Sequence, residues 1–134
     1  MSDLLSFDEA MITAGTSEHS RESLESMVCH LFGATPEDSF FRRVTLPISR
    51  VDHLVSSLDD YAKHYPGEYI TIVSLIDAYK NEDSVPPIIF GRNVDALEYE
   101  DGLEIMDGFH RLCAASAAGL STIDALEFVY PNQR

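Results

Sequence analysis

An α+β domain, a small mixed sheet packed against helices, is what this sequence predicts. Three observations carry that reading. Apolar residues recur at helical spacing at Leu24, Met27, Val28 and Leu31, again from Val51 to Tyr65, and again from Ile72 to Tyr79. β-Branched and aromatic residues dominate 40–48 and 123–130, both short and bounded by turn residues. Residues 105–115 read as the end of a strand, a tight turn on Gly108 and the first turn of a helix.

Taken in order, residues 1–19 are polar, acidic and rich in Ser and Thr. Leu4, Phe7 and Met11 share a weak helical face that Gly15 stops, so a mobile or loosely docked arm is expected. The stripe at 24–31 is an amphipathic helix with Ser20 as N-cap and Gly33 at its C-terminal stop. These features place a polar N-terminal arm with one helix at 1–38 and the main domain at 39–134. The strand at 40–48 ends near Pro47, which has no N–H to give a ladder. Arg42 and Arg43 are adjacent on it and point to opposite faces, so only one reaches any given site.

Val51, Leu54, Val55, Leu58, Tyr61, Ala62 and Tyr65 form the clearest helical stripe. Ser49 with Asp52 resembles a capping box at its start, and Pro66-Gly67 ends it. A second helix is expected over 70–80. Residues 86–91, a short apolar run between Pro and Gly, suit a buried strand. Residues 96–100 and 103–106 flank Asp101-Gly102, a strong type I′ hairpin signal. That hairpin delivers the chain into the Asp107-Gly108 turn. The following helix carries Phe109, Leu112, Cys113, Ser116, Ala117 and Leu120 on one face, and its alanines suit close packing up to Gly119. A final strand covers 123–130.

The length of 134 residues suits one domain, and 45% hydrophobic residues suffice for a core. Formal charge is −14, from 23 acidic and 9 basic residues. Such a chain is repelled by nucleic acid and anionic lipid at long range, so direct DNA binding and a membrane surface are not expected. A small phosphorylated ligand in a local basic pocket remains compatible, as does a basic protein partner. Cys29 and Cys113 form no zinc pattern and no disulfide framework, and read as buried thiols in a reducing compartment. His53 and His64 have no partner at ligand spacing and read as surface residues. With no apolar run long enough for a bilayer and no signal-peptide core, a cytoplasmic location is expected.

The Gly108 turn is the chemically richest stretch. A helix N-terminus after a glycine turn offers backbone N–H groups and a favourable dipole to an anion. Gly108 and Phe109 supply backbone, His110 supplies a donor, and Arg111 can hold a phosphate through two parallel hydrogen bonds. Arg42 or Arg43 and Glu104 are further candidates for the site. The same residues also suit an ordinary strand-to-helix turn whose Arg pairs with a neighbouring carboxylate.

The order strand, helix, helix, strand, hairpin, glycine turn, helix, strand, with Pro-Pro-Ile-Ile-Phe at 86–90 and Asp-Gly-Phe-His-Arg-Leu-Cys-Ala-Ala-Ser-Ala-Ala-Gly-Leu at 107–120, resembles the ParB/sulfiredoxin superfamily. The resemblance covers about residues 40–130 and implies a nucleotide phosphate site at Gly108–x–x–Arg111, with ATP or CTP and Mg²⁺ as ligands. Sulfiredoxins place a reactive cysteine where this chain has Phe109, so sulfinic-acid repair is not expected. ParB proteins add a helix-turn-helix region, for which four residues after the last strand leave no room. A third branch, the free-serine kinases, matches at Asp107, which would hold Mg²⁺ or orient a nucleophile, with His110 as its catalytic neighbour. A Mg-dependent nucleotide hydrolase or phosphotransferase is thereby implied. The competing expectation is a catalytically silent acidic interaction or inhibitor protein, binding a basic partner or imitating nucleic acid. Charge at the Gly108 turn separates the two. An open basic pocket favours the nucleotide, and internal neutralisation favours the binding protein.

Overall fold

The computed structural model describes residues 3–15, 20–93 and 102–134. Its one five-stranded sheet comprises β1 (Leu5–Ser6), β2 (Phe40–Pro47), β3 (Ile88–Arg92), β4 (Leu103–Asp107) and β5 (Thr122–Val129), in the spatial order β1-β2-β5-β3-β4. β3 and β5 run parallel, and the other pairings are antiparallel. The helices are α1 (Phe7–Ala14), α2 (Arg21–Phe32), α3 (Leu58–His64), α4 (Pro66–Lys80) and α5 (Phe109–Ala117). The mixed sheet with helices on it is the predicted α+β class.

Strand alternation divides the core between the two faces of the sheet. Phe41, Ile89, Met106, Leu126 and Phe128 form one cluster with α1 and α2. Leu46, Ile88, Phe90, Ile105, Ile123 and Ala125 face the other way and pack with Leu112 and Ala115 of α5. Behind α5, Cys113 and Ala114 meet Tyr61 of α3 and Ile72 of α4. α5 is therefore buried on two sides, and its alanines keep both neighbours close.

The N-terminal segment departs from expectation. It is no loosely docked arm: Phe7, Ala10, Met11 and Ala14 of α1 are buried in the same cluster as β2–β5, and β1 extends the sheet. A capping box between Ser6 and Glu9 starts α1. Ala10 and Ala14 add little to a hydrophobic pattern, yet they let the helix lie close on the sheet. With α1 and α2 in one core with the strands, residue 38 marks no break in packing.

The stripe at 51–65 is not one helix. Asp52–Leu54 is a 3-10 turn, and α3 starts only at Leu58. Ser57 accepts from the Asp60 N–H, and Asp59 and Asp60 occupy the first turn, so this cap outcompetes the expected one at Ser49. Pro66 starts α4 instead of merely ending its predecessor, because a proline at N1 gives up no needed hydrogen bond. β4 pairs with β3, Phe90 opposite Ile105, and the expected first hairpin arm at 96–100 lies outside the described residues.

One packing contact explains a glycine. A β-carbon on Gly91 would stand 2.3 Å from Phe32 Cζ, and the Phe32 ring is itself stacked on Phe128 at 4.6 Å. Gly91→Ala is expected to destabilise the fold by about 1–3 kcal/mol through overpacking, measurable by urea unfolding. An unchanged midpoint would show that the ring shifts freely.

Candidate functional site

β4 ends at Asp107 and α5 begins at Phe109, with Gly108 between them at φ 110°. That backbone is strained for any residue with a side chain. A β-carbon there would also lie 2.4 Å from Ile88 Cγ2 and 2.7 Å from Ile88 Cβ. Gly108 is itself buried. The glycine is thus required by the approach of β3, before any ligand is considered.

Arg111 turns inward. It is 4% exposed, and its Nη2 donates to Asp107 Oδ2 at 3.0 Å. Its Nη1 donates to the carbonyls of Ala14 at 2.7 Å, Pro87 at 2.7 Å and Pro86 at 3.3 Å. One guanidinium therefore ties the end of α1, the approach to β3, and the end of β4. The expected phosphate clamp is instead a brace. Asp107 is 0% exposed against it, so the expected Mg²⁺-holding carboxylate faces the interior and does not fit that role.

Arg111 also acts on Tyr79. Burial pushes the Tyr79 phenol up to about 12, the Arg111 charge opposes this, and Asp124 adds to it.

His110 Nε2 lies 2.8 Å from Glu68 Oε1 at the start of α4, and its ring meets Tyr61 edge-on at 5.8 Å. Phe109 and His110 are half-buried. Arg42 is not brought to the turn. It spends Nε and Nη2 on Glu127 Oε1, at 3.0 and 2.7 Å, and Arg92 approaches the other oxygen at 3.6 Å. Arg43 borders a shallow groove with Val44, Thr45, Pro87, Asp124 and Ala125. Glu104 lies in another groove, beside α2. The five expected site residues at 107–111 are contiguous in space, and the three added candidates lie elsewhere.

Glu68 and Glu127 escape sequence reasoning, because their partners are 42 and 85 residues away. The α1 carbonyl that Arg111 uses is equally invisible. Among the described residues, no group of three His, Cys, Asp or Glu is placed to hold a metal ion, and no helix is long and apolar enough to cross a membrane.

The cysteines differ. Cys113 is buried, and desolvation pushes its thiol up, so it resists becoming a thiolate. Cys29 is exposed, against the expectation that both are buried, because it sits on the outward side of α2. A thiol reagent is expected to modify one cysteine in the native chain and the second only on unfolding. Rapid modification of both would contradict the packing of α5.

In comparisons with known proteins, no family model matches the chain, and no characterised protein or solved structure is significantly similar to it.

Proposed function

We propose that this chain is a non-catalytic binding protein whose acidic surface receives a basic protein partner. One observation carries the reading: Arg111 and Arg42, two arginines of the expected phosphate site, are neutralised inside the chain, and His110 lies against a carboxylate. Arg111 pairs with Asp107, His110 with Glu68 and Arg42 with Glu127. Arg21 and Arg134 are likewise paired with carboxylates. Meanwhile Asp59, Asp60, Asp77, Glu82, Asp83 and Asp124 stand exposed. With a formal charge of −14, the surplus lies on the outside, where it steers positive partners.

Titration with a short oligolysine tests this. Saturable binding is expected at low salt, weakening as ionic strength rises from about 0.05 to 0.15 M. Absence of binding at low salt, or equal binding of oligoglutamate, would overturn the proposal.

A second reading retains the nucleotide. α5 opens without a side-chain cap, and Phe109 and His110 are half-buried on its first turn. In that reading, which the ParB/sulfiredoxin-like resemblance supports, Arg111 braces the turn while the helix dipole and His110 meet an ATP or CTP phosphate. Hydrolysis or phosphotransfer at this turn would need a carboxylate other than Asp107.

A further inference from the structure

Where α4 runs out, the chain leading to β3 and the start of β5 border a cavity of about 250 Å³. Part of its wall is apolar, with Val85, Leu120 and Ile123, and part is acidic, with Glu82, Asp83 and Asp124. The three acidic residues are exposed, and so is Leu120, a large apolar side chain at 36%. Tyr79 also lines the cavity, half-buried, and the Asp124 charge is felt at its phenol, so ring and carboxylate are neighbours. Two backbone hydrogen bonds pin the turn after α4. The Glu82 N–H donates to the Tyr79 carbonyl at 3.2 Å, and the Asp83 N–H donates to the Ala78 carbonyl at 2.9 Å. Among the described residues, no basic side chain lines this cavity. Lys80, in the last turn of α4, is exposed and outside it, and Arg111, whose charge also reaches Tyr79, is answered by Asp107.

We propose that this cavity seats one lysine or arginine side chain of the basic protein partner. The proposal deepens the acidic-partner reading and rests on it for the sign of the partner's charge, while the place is argued from the wall. Three carboxylates on a flat surface are solvated and hold no particular cation. Here they share a concavity with exposed hydrocarbon, and a side chain with an alkyl stem and a charged head answers both. The stem covers Leu120 and Val85, the head meets the carboxylates, and Tyr79 offers the cation an aromatic ring. The carbonyl end of α4 is the negative end of the helix dipole and adds to the same field. Arg43 borders the adjoining groove, which shares Asp124, so the favourable field ends at that carboxylate. Among the described residues, no group of three His, Cys, Asp or Glu is placed to hold a metal ion, so the occupant is an organic cation.

The test titrates the intact chain with a short oligolysine at low salt and follows backbone amide resonances. Two variants run beside the wild type. One is Glu82→Gln/Asp83→Asn/Asp124→Asn, in the cavity wall. The other is Glu22→Gln/Glu37→Gln/Asp59→Asn, which removes three exposed negative charges outside it. The cavity variant is expected to bind about tenfold more weakly than the wild type, and the control variant at most about twofold more weakly. In the wild type the amide shifts are expected to concentrate at 79–86 and 120–124. That map is read without any substitution, so it stands even where a variant loses its fold. Equal weakening in the two variants, or shifts confined to other regions, overturns the cavity proposal while leaving the acidic-partner reading standing. Absence of binding to the wild type overturns both.

Discussion

Arg111→Met is expected to destabilise the chain by about 3–5 kcal/mol, because it leaves a carboxylate buried without its cation. Asp107 is 0% exposed, and Arg111 also satisfies the carbonyls of Ala14, Pro86 and Pro87. Removing the guanidinium thus strands acceptors on three segments at once. The double variant Asp107→Asn/Arg111→Met is expected to recover part of the loss, since a neutral amide is less costly to bury than an ionised carboxylate. Urea unfolding of the two variants beside the wild type reads this directly. A loss below about 1 kcal/mol for Arg111→Met would mean that the ion pair is replaced by solvent, and the brace would be rejected.

Gly108→Ala carries the second large effect. The left-handed backbone at φ 110° adds about 1–3 kcal/mol of strain for a residue with a β-carbon. The contact with Ile88, at 2.4 Å, adds about 1–3 kcal/mol of overpacking. Ile88→Ala removes the nearer atom but not the strain. In that background Gly108→Ala is expected to be less harmful, and a double-mutant cycle measures the difference. Additive effects would show that strain alone makes this glycine necessary.

Much of the architecture is legible in the sequence because local signals and tertiary packing agree there. Ser20 and Gly33 bound α2 at both ends, and both caps form. The aromatic and β-branched runs at β2 and β5 become a paired ladder, Phe41 opposite Phe128 and Leu46 opposite Ile123. The Gly108 turn falls where the strand-to-helix reading puts it. What is hidden is of two kinds. In the 51–65 stripe, apolar periodicity runs straight through a cap at Ser57 that starts a new helix, so the pattern overstates continuity. In α1, two of the four buried residues are alanines, Ala10 and Ala14, which contribute almost nothing to a hydrophobic pattern.

The site is legible as a place but not as a chemistry. Asp107 ends β4 and Arg111 lies four residues on, in the first turn of α5, a spacing that suits an internal ion pair as well as a phosphate clamp. The direction Arg111 points is set by Ala14, 97 residues away, and by Pro86 and Pro87. Those acceptors exist only once the chain has folded. His110 and Arg42 are settled in the same manner by Glu68 and Glu127, so the sign of the local field depends on contacts no motif contains.

The most direct test of the account is thermal unfolding of the chain with ATP, CTP and GTP, with and without Mg²⁺, with His110→Ala run alongside. The central claim is that the residues at 107–111 brace the fold and do not present a nucleotide clamp. It predicts an unchanged midpoint for every nucleotide at millimolar concentration. A nucleotide held at 100 times its dissociation constant would add about 2.7 kcal/mol. A shift of that size for one nucleotide, lost in His110→Ala, would contradict the claim and return the turn to phosphate recognition.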